Sequence, residues 1–490
     1  MNALRHVHFI AIGGTGMGSL AGLLGARGIE VTGSDRALYP PMSTALANWG
    51  IEVIEGFRPE NVLVRRPDLV VIGNAVRDDN PEALAAIEAG LPYRSFSDAL
   101  YELAMAPKHR VAVSGTHGKT TTTSLCAYLL HAAGRDPSFL VGGIAVDFEG
   151  PFREGSGAHF VVEADEYDTA FFDKTPKFLH YHPHTLIITS VEFDHADIYR
   201  DLEAVKEAFR ALVASMPNDG TIVAAWDHPH VREVVENAPC KVIRYGLAGD
   251  VNPGGTSSAV TGLDFAARGV EAGAHGTSFG LEVRGEGERN VLSPLYGAFN
   301  VENVIAALAT VHSLGVSLEE GIGAIPGFGG VKRRQEVRGE AHGIRVIDDF
   351  AHHPTAVRGS IEALRARYPK GRLVAVFEPR TNTSRRRVFQ HAYAKALGSA
   401  DAVVVFEVPD EPIYSATGQV TELFSAAELV ADLGAEGVEA ASFSSVEAIV
   451  EHLIEKAQAG DTVLIMSNGS FGNIWERLLG ALASSAPISA

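Results

Sequence analysis

The sequence predicts three consecutive α/β domains, and three observations lead to this fold class. Short apolar segments alternate with helical patterns along almost the whole chain, which is typical of βαβ units around mostly parallel sheets. The length of 490 residues suits two to four domains at ~100–200 residues each. Breaks at Ala106-Pro107 and at Pro326–Gly330 have the composition of linkers. They predict domains at 1–107, 108–327 and 328–490.

The composition excludes several classes of protein. Hydrophobic residues make up 46% of the chain and charged residues 21%, which is typical of globular proteins and excludes a disordered or fibrous chain. Acidic residues outnumber basic ones by 60 to 41, and the net charge of −19 argues against binding to nucleic acid or anionic membranes. Cys126 and Cys240 are too few for a disulfide framework and fit a reducing compartment. With no apolar run of ~18 residues and no signal peptide before the first strand, we expect a soluble, cytoplasmic protein.

In the first domain, a glycine-rich turn follows the first predicted strand. The pattern predicts a strand at His6–Ile12, a turn at Gly13–Gly18, a helix at Ser19–Ala26, and further strands at Glu30–Gly33 and Leu69–Ile72. An acid at the end of the second strand is where dinucleotide-binding turns hold a ribose hydroxyl, although serine replaces the third glycine of the usual pattern. We therefore predict a diphosphate site without assigning its nucleotide, and a tight turn that needs no ligand is the alternative. The residues of the predicted diphosphate site are Gly13, Gly14, Thr15, Gly16, Met17 and Asp35.

The second domain opens with a shortened phosphate-binding loop. The strand Val111–Ser114 leads into a glycine loop and a helix, and glycines allow backbone N–H groups to approach phosphates at the positive end of that helix. Lys119 can reach the β- and γ-phosphates, and the Thr120 hydroxyl is placed to bind Mg²⁺. Val113 stands where the first glycine of the longer motif belongs, and a capped glycine turn is the alternative. The loop residues are Gly115, Thr116, His117, Gly118, Lys119, Thr120 and Thr121.

Acidic residues and a histidine follow the next two predicted strands of this domain. Glu163 ends the strand Phe160–Val162, and His195 follows the strand Leu186–Thr189. Since the carboxyl ends of parallel strands meet in one crevice, these side chains are expected beside the phosphate loop. We predict Thr120, Glu163 and His195 as metal ligands, with a solvated acidic loop and a structural histidine as the alternatives.

The rest of the chain predicts a β-rich excursion and a third α/β unit. Glycines and alternating short segments at Tyr245–Ser293 indicate hairpins, and a helix is expected at Val301–Gly315. The strands predicted in the last domain are Arg345–Ile347, Leu373–Phe377, Ala402–Phe406 and Thr462–Met466.

Taken together, these segments resemble the Mur ligases, ATP-dependent amide-forming enzymes that attach amino acids or peptides to UDP-N-acetylmuramate. The segments that carry the resemblance are Gly115–Thr121, Glu163–Glu166, Asp194-His195, Phe299–Asn303, Arg333-Arg334 and Asp348–Pro354. The resemblance implies a Rossmann-like N-terminal domain that binds UDP-muramate and a P-loop ATPase-like central domain. It also implies a Rossmann-like C-terminal domain that binds the acceptor and closes on ATP.

The resemblance also implies the cofactors, ATP and Mg²⁺, and several roles. Lys119 and His195 would be catalytic, and Arg334 would approach the phosphates. Asn303 would read adenine, with a simple helix cap as the alternative, and Phe350 would stack on it unless it belongs to the core. Ribose would be held by Asp348 or Asp349, between which the sequence does not decide.

Within that family, four segments resemble the members that take a tripeptide. Such members join L-alanyl-γ-D-glutamyl-meso-diaminopimelate to UDP-N-acetylmuramate through an acyl phosphate, in peptidoglycan recycling. The segments are Tyr39–Thr44, Phe171–Lys174, Glu378–Thr383 and Met466–Gly472, with Ser470 in place of a glycine. Arg380 and the loop Ser467, Asn468 and Gly469 would bind peptide carboxylates. The L-alanine-adding ligase is the alternative.

Other Mur ligases carry a carbamylated lysine about fifteen residues beyond the histidine that corresponds to His195. Here Arg210 occupies that position and the nearby Lys206 is out of register, so the resemblance implies a metal site without carbamate. A nicotinamide oxidoreductase and a nucleotide-gated binding protein are more distant alternatives. We expect small molecules as partners, no nucleic acid or membrane, and a monomer or weak homodimer.

Overall fold

The protein is described here from a computed structural model, which covers residues 4–38, 42–249, 261–408, 413–415 and 418–484. Three large sheets, which follow one another along the chain, confirm the predicted fold class. Each large sheet lies within one of the proposed domains, 1–107, 108–327 and 328–490. The Tyr39–Pro41 part of the Tyr39–Thr44 segment lies outside the described residues.

The N-terminal domain is a parallel sheet with helices on its faces. Its elements are β1 (His6–Ile10), α1 (Thr15–Ala26), β2 (Glu30–Asp35), α2 (Met42–Asn48), β3 (Glu52–Glu55), α3 (Glu60–Leu63), β4 (Leu69–Ile72), α4 (Pro81–Glu88), β5 (Tyr93–Ser95) and α5 (Phe96–Leu100), followed by a π-helical turn, Tyr101–Met105. The strands lie in the order β3-β2-β1-β4-β5. From β1 the chain adds β2 and β3 on one side and then returns to add β4 and β5 on the other side. Ligands of such sheets bind beyond the strand ends at this reversal, and the first glycine turn lies there.

Helix α1 begins at Thr15, four residues before the predicted Ser19. Gly16 and Gly18, which belong to the predicted turn, lie instead inside the helix, where the chain is closely packed. A Cβ atom at Gly18 would overlap Met42, and one at Gly22 would overlap Phe152 of the central domain. Glycine is needed there for close approach, so its low helix propensity is offset by packing.

The central domain is built on a ten-stranded sheet in the order β17-β16-β15-β14-β13-β12-β6-β9-β7-β8. Its strands are β6 (His109–Ser114), β7 (Ser138–Ala145), β8 (Gly150–Arg153), β9 (His159–Glu163), β12 (Thr185–Ile188), β13 (Thr221–Ala225), β14 (Lys241–Leu247), β15 (Phe265–Gly273), β16 (Gly276–Val283) and β17 (Gly287–Ser293). A separate hairpin consists of β10 (Asp168–Ala170) and β11 (Asp173–Pro176). The helices are α6 (Lys119–Ala132), α7 (Leu202–Ala214), α8 (Pro229–Val235), α9 (Ala298–Ser313) and α10 (Leu318–Ala324).

The predicted β-rich excursion is confirmed as an extension of this sheet. Strand β15 pairs in parallel with β14, and β16 and β17 continue the sheet as antiparallel hairpins. Residues 250–260 of the excursion lie outside the described ranges.

The C-terminal domain has a six-stranded sheet in the order β18-β19-β25-β20-β21-β24, with β18 as its antiparallel edge. Its strands are β18 (Glu336–Ala341), β19 (Ile344–Asp349), β20 (Leu373–Phe377), β21 (Ala402–Phe406), β24 (Glu439–Phe443) and β25 (Thr462–Met466), beside a hairpin of β22 (Ile413–Ser415) and β23 (Gly418–Val420). The helices are α11 (Pro354–Arg367), α12 (Gln390–Leu397), α13 (Ala426–Ala435), α14 (Val446–Lys456) and α15 (Ile474–Ser484). Short 3₁₀ turns across the chain are Val146–Phe148, Lys177–His180, Ile325–Gly327, Arg387–Phe389 and Phe471–Asn473.

The apolar core is continuous between the first two domains but separate in the third. One apolar cluster runs from the N-terminal domain into the central domain, whereas the C-terminal sheet has a separate cluster on each face. Trp49 packs edge-on against Phe152 across the first boundary, with ring centroids 5.0 Å apart. The N-terminal and central domains therefore form one apolar unit. Polar contacts, described below, connect the C-terminal domain to the site.

A half-buried ion pair also crosses the boundary between the first two domains. His180 Nδ1 lies 2.8 Å from Asp98 Oδ1, and its Nε2 lies 2.8 Å from the Thr175 hydroxyl. The hydrogen bond to Asp98 raises the pKa of His180 above its ordinary value, although burial opposes this, and the same bond lowers the pKa of Asp98. The charged pair thus depends on pH.

We expect this pair to stabilise the protein more in mild acid than in base. A histidine with a raised folded pKa contributes its full stabilisation below the unfolded value of about 6.5, and loses it as the pH rises through the folded pKa. The melting temperature of the wild type should therefore exceed that of His180→Gln by more at pH 5.5 than at pH 9. The exposed His275→Gln is the control, and equal differences at both pH values would contradict the expectation.

Candidate active site between the central and C-terminal domains

The loop between β6 and α6 is shaped by glycine and held by the neighbouring strand. Gly115 and Gly118 have φ values of +134° and +77°. A Cβ atom at Gly115 would overlap the Thr189 hydroxyl, and one at Gly118 would overlap the Asn303 amide. Ser190 fixes the turn because its carbonyl and hydroxyl accept the N–H groups of residues 116 and 117. Helix α6 starts without a side-chain cap, so its first N–H groups remain to bind an anion such as a nucleotide phosphate.

Lys119 is the cation of this loop. Its Nζ atom donates to the Gly115 carbonyl at 2.7 Å and to Glu166 Oε2 at 3.0 Å, and lies 3.5 Å from Asp165 Oδ1. Burial disfavours the charge, but the carboxylates of Glu166, Asp165 and Glu163 outweigh it and raise the pKa of Lys119 well above its ordinary value. The amine is therefore always protonated at the point where phosphates would enter.

Thr120 and Glu163 form a compact set of hard oxygen atoms. The Thr120 hydroxyl donates to Glu163 Oε1 at 2.9 Å, and the N–H of Gly142 donates to Oε2 at 2.7 Å. Burial raises the pKa of Glu163 although that N–H group and the charge of Lys119 oppose it, so positive charge only partly compensates its anionic form. Mg²⁺ prefers such oxygen ligands and would supply the missing charge. The residues thus fit a magnesium ion.

His195 lies next to Glu166 and not next to Thr120 and Glu163. Its Nε2 atom is 3.3 Å from Glu166 Oε1, and its ring centroid is 4.0 Å from that of Tyr167. Burial favours the neutral ring, but Asp194 and Glu166 outweigh burial and raise the pKa of His195 to about 9. A metal ion at this position would displace that proton.

The predicted metal ligands therefore fall into two adjacent groups. Thr120 and Glu163 form one group; in the other, donor atoms of His195, Asp165 and Glu166 lie within 4.8 Å of one another. Asp165 and Glu166 lie in the Glu163–Glu166 segment that carries the family resemblance, but of that segment only Glu163 was predicted as a ligand. Their position directly after the strand that ends in Glu163 was the signal that could have identified them.

The C-terminal domain reaches this site through Arg334. Its Nη2 atom donates to the Thr120 hydroxyl at 3.1 Å, and its guanidinium lies 4.9 Å from the centroid of the Phe350 ring. The domain is thus docked on the phosphate loop, with the Arg334 guanidinium beside the predicted magnesium ligands. One face of Phe350 packs against this arginine, which is a contact that a stacked adenine would have to share.

The two predicted ribose ligands hold the segment that carries Arg334. Asp348 accepts from Arg333 Nε at 3.1 Å, and burial raises the pKa of Asp348 to about 6. Asp349 accepts the N–H groups of Gln335 and Ala351 at 2.9 and 2.7 Å. Both carboxylates are engaged within the domain, so in this conformation they position the arginine.

Asn303 lies behind the phosphate loop. It accepts a hydrogen bond from the Thr122 hydroxyl at 3.1 Å and donates to Asn300 Oδ1 at 3.0 Å. Helix α9 begins at Ala298, before the predicted Val301, so both asparagines lie within the helix and not at its cap. In this arrangement the amide of Asn303 supports Gly118.

A second cluster across the same domain boundary was not predicted. Glu192 accepts from the Thr355 hydroxyl at 2.7 Å and lies 3.5 Å from His117 Nε2. His353 packs on His117 with ring centroids 4.7 Å apart, and burial together with the His117 charge lowers the pKa of His353 to about 4. The sequence signal was the position of Glu192 in the loop that follows the buried strand β12. This cluster connects the loop to the C-terminal domain.

On the acceptor side, Arg380 lies directly against Gly469 at the carboxyl ends of β20 and β25. Its side chain is 53% exposed and lies 3.9 Å from Glu378 Oε1. Ser467 donates to Glu378 and accepts the N–H of Gly469, while Asn468 Oδ1 is buried without a hydrogen-bond partner. The arginine and the predicted loop are thus brought together, with the guanidinium accessible to solvent.

In the N-terminal domain, Asp35 shapes the first glycine turn. One of its carboxylate oxygens accepts a hydrogen bond from the N–H of Gly13 at 2.7 Å, and the other accepts one from the backbone N–H of Arg36. The remaining predicted residues form the start of α1, with Gly14 as an N-cap that provides no side-chain hydrogen bond. The open N–H groups of this turn could receive a diphosphate.

Arg210 and Lys206 of α7 both lie in ion pairs. Arg210 Nη1 is 2.6 Å from Glu203 Oε1, and Lys206 Nζ is 3.0 Å from Glu203 Oε2 and also contacts Glu233. The hydrogen bonds to Glu233 and Glu203 raise the pKa of Lys206, which disfavours the neutral amine needed to form a carbamate.

We therefore expect catalysis to be independent of bicarbonate. Added bicarbonate should leave the turnover of the wild type and of Lys206→Met equal within error, because neither Lys206 nor Arg210 can supply a carbamate to the metal site. The measurement is initial rate in buffer depleted of CO₂, with and without bicarbonate. A rate that rises with bicarbonate and loses this response in Lys206→Met would contradict the expectation.

Three family models match consecutive parts of the chain. They are the Mur ligase family catalytic domain at residues 6–107, the Mur ligase middle domain at 113–311 and the Mur ligase glutamate ligase domain at 333–469. The chain belongs to the Mur ligase family. It is therefore an ATP-dependent amide-forming ligase that acts on small molecules. Within the described ranges, every helix is too short or too polar to cross a bilayer.

Individual Mur ligases match over nearly the full length. A UDP-N-acetylmuramate–L-alanyl-γ-D-glutamyl-meso-2,6-diaminoheptandioate ligase of Haemophilus influenzae is 37% identical over 98% of this chain and 99% of its own. A UDP-N-acetylmuramate–L-alanine ligase of Rubrobacter xylanophilus is 36% identical over 97% of this chain and 100% of its own. Among solved structures, a murein peptide ligase of Psychrobacter arcticus is 33% identical, with a TM-score of 0.72 over 99% of this chain and 100% of that one. Ligases named for the tripeptide and for L-alanine thus both match nearly the whole chain.

Proposed function

We propose that this chain is a murein peptide ligase, which joins L-alanyl-γ-D-glutamyl-meso-diaminopimelate to UDP-N-acetylmuramate with ATP and Mg²⁺ in peptidoglycan recycling. The observation that carries the acceptor assignment is the accessible guanidinium of Arg380 against Gly469. Two neighbouring strand ends thus offer one cation and one loop, which suits an acceptor with several carboxylates. The relatives named for this activity are consistent with the proposal.

The donor side would be arranged around the phosphate loop. Bound ATP would supply the phosphoryl group that activates the muramyl carboxylate. Thr120 and Glu163 would hold Mg²⁺, and the group of His195, Asp165 and Glu166 would hold a second cation. Lys119 and Arg334 would compensate the charge of two anions that must meet. The glycine turn at 13–17, with Asp35, would hold the diphosphate of the UDP-sugar.

Other predicted residues would have supporting roles. Asp348, Asp349 and Asn303 are already hydrogen-bonded within the protein, so we propose that they position Arg334 and the loop around the nucleotide. Phe350 would lie beside the adenine with its ring oriented by Arg334. The loop 467–469 would donate backbone N–H groups to a peptide carboxylate.

The test is an ATP-dependent ligation assay that compares the tripeptide with L-alanine. Formation of UDP-N-acetylmuramyl-tripeptide is followed by mass spectrometry, and phosphate release is required to depend on both substrates. We expect the tripeptide to be joined far better than L-alanine. If L-alanine is equal or better, the alanine-adding ligase replaces this assignment, and if neither is joined the proposed function is wrong.

Arg380→Ala should raise the Michaelis constant for the tripeptide at least tenfold. Loss of one charge-assisted hydrogen bond costs about 1.5–3 kcal/mol, or roughly 10- to 150-fold in affinity. The constant for UDP-N-acetylmuramate should change little, because Arg380 lies at the C-terminal strand ends. Arg387→Ala is the matched control, since its exposed guanidinium pairs with Glu428. Steady-state kinetics with both acceptors would show the assignment of Arg380 to be wrong if the two variants behave alike.

A further inference from the structure

The C-terminal domain also forms hydrogen bonds with the backbone of the residue that follows His195. The N–H of Ala196 donates to the Thr383 hydroxyl at 3.1 Å, and the carbonyl of Ala196 accepts from Arg386 Nη1 at 3.0 Å. Ala196 is 1% exposed and Thr383 3% exposed. Both backbone polar groups of one buried residue in the central domain are thus satisfied by the C-terminal domain.

This contact lies next to an unusual backbone conformation. His195 has a φ of +54°, which is rare for a residue with a Cβ atom and persists only where the surroundings enforce it. The carbonyl of His195 accepts hydrogen bonds from the N–H groups of Ile198 and Tyr199 at 2.8 and 2.9 Å, which closes a turn. That turn belongs to the central domain, whereas the bonds of Ala196 reach it from the C-terminal domain.

The loop that forms these hydrogen bonds follows Arg380, the arginine proposed to bind the acceptor. Residues 381–386 follow Arg380 directly, and Thr383 closes the Glu378–Thr383 segment that the sequence analysis singled out. Under the proposed function, this loop would bind the acceptor at one end, and it contacts the His195 segment at the other, so it would connect the two halves of the site. If the domain moved away, Ala196 would bond to water and the constraint on His195 would be lost.

We propose that Thr383 and Arg386 are positioning residues that hold the backbone of Ala196 and thereby place His195 for catalysis only when the C-terminal domain is docked. The proposal extends the proposed function, on which its metal-binding consequence rests. Neither residue touches the reacting groups. They act through the backbone beside His195.

The test uses Thr383→Val, which keeps the shape of the side chain and removes the oxygen that accepts from Ala196. Thr383→Ser restores that oxygen, and Arg386→Met removes the second bond. Arg387→Met is the matched control, because the neighbouring guanidinium pairs with Glu428 and not with Ala196. Melting temperatures of all variants show whether the fold is retained.

Three measurements are made on the full-length protein. Hydrogen exchange followed by mass spectrometry reports the peptide spanning residues 194–199, electron paramagnetic resonance reports equilibrium Mn²⁺ binding, and steady-state kinetics separate kcat from the Michaelis constant for ATP. In Thr383→Val and Arg386→Met we expect faster exchange of that peptide, Mn²⁺ affinity weakened several-fold, and kcat lowered about tenfold with the Michaelis constant for ATP nearly unchanged. Thr383→Ser and Arg387→Met should resemble the wild type.

The proposal is overturned if exchange and Mn²⁺ affinity in Thr383→Val equal those of the wild type. It is also overturned if exchange rises while Mn²⁺ affinity and kcat stay unchanged, since the contact would then be structural only. A failure of the proposed function is distinguishable from both results. A wild type that ligates no acceptor refutes the function, while exchange and Mn²⁺ binding still decide the role of Thr383.

Discussion

Replacement of Lys119 by methionine is expected to reduce ligation at least ~10²–10³-fold. Its Nζ atom is held at the phosphate loop by the Gly115 carbonyl and Glu166. No other side chain places a permanent cation at that position among the described residues, since Arg334 approaches from the opposite domain at Thr120. Charge that develops on the transferred phosphoryl group would remain uncompensated, so kcat should fall more than nucleotide affinity.

The measurement is single-turnover ligation with saturating ATP, accompanied by thermal unfolding. Methionine retains the length and apolar stem of lysine, so the fold should persist even though Glu166 loses one of its partners. Lys456→Met, at an exposed lysine in α14, should leave the rate unchanged. A Lys119→Met enzyme with most of the wild-type turnover would refute the assignment of the loop.

Arg334→Met should lower kcat about 10²-fold or more. The side chain comes from the C-terminal domain and donates to the Thr120 hydroxyl, so it reaches the phosphate site only when the domains are docked. Arginines supplied to a phosphoryl-transfer site from a second domain contribute about 10³–10⁵ in kcat in other enzymes. Because the planar guanidinium of Arg334 packs on the Phe350 ring, lysine in its place should recover only part of the rate.

Steady-state kinetics and ADP binding separate the possible outcomes for Arg334. We expect ADP affinity to change much less than kcat, because the arginine acts after nucleotide binding. Arg358→Met is the control, since this exposed arginine on α11 pairs only loosely with Glu362. If ADP affinity falls as far as kcat, Arg334 contributes to ground-state binding and the proposed timing is wrong.

Local sequence patterns predicted the elements well where one rule dominated. The strands Leu69–Ile72, Leu373–Phe377, Ala402–Phe406 and Thr462–Met466 match the structure, because continuous apolar runs belong to buried parallel strands. Element ends were less predictable. Helix α1 starts earlier than predicted because its glycines serve close packing against Met42 and Phe152, which are distant in sequence.

The sequence by itself predicted the fold class and the family, which the sheets and the family models confirm, and it proposed the phosphate loop, because each of these motifs consists of residues adjacent along the chain. Lys119, Thr120 and Glu163 could be named from strand ends and spacing alone. Only the tertiary structure decided which groups meet within the site, both inside the central domain and across the domain boundary. His195 contacts Glu166 and not Glu163, Glu192 joins His117 to Thr355, and Ala196 is held by Thr383. Such contacts join residues up to 187 positions apart, and their geometry depends on how two separately folded sheets dock, which no local periodicity records.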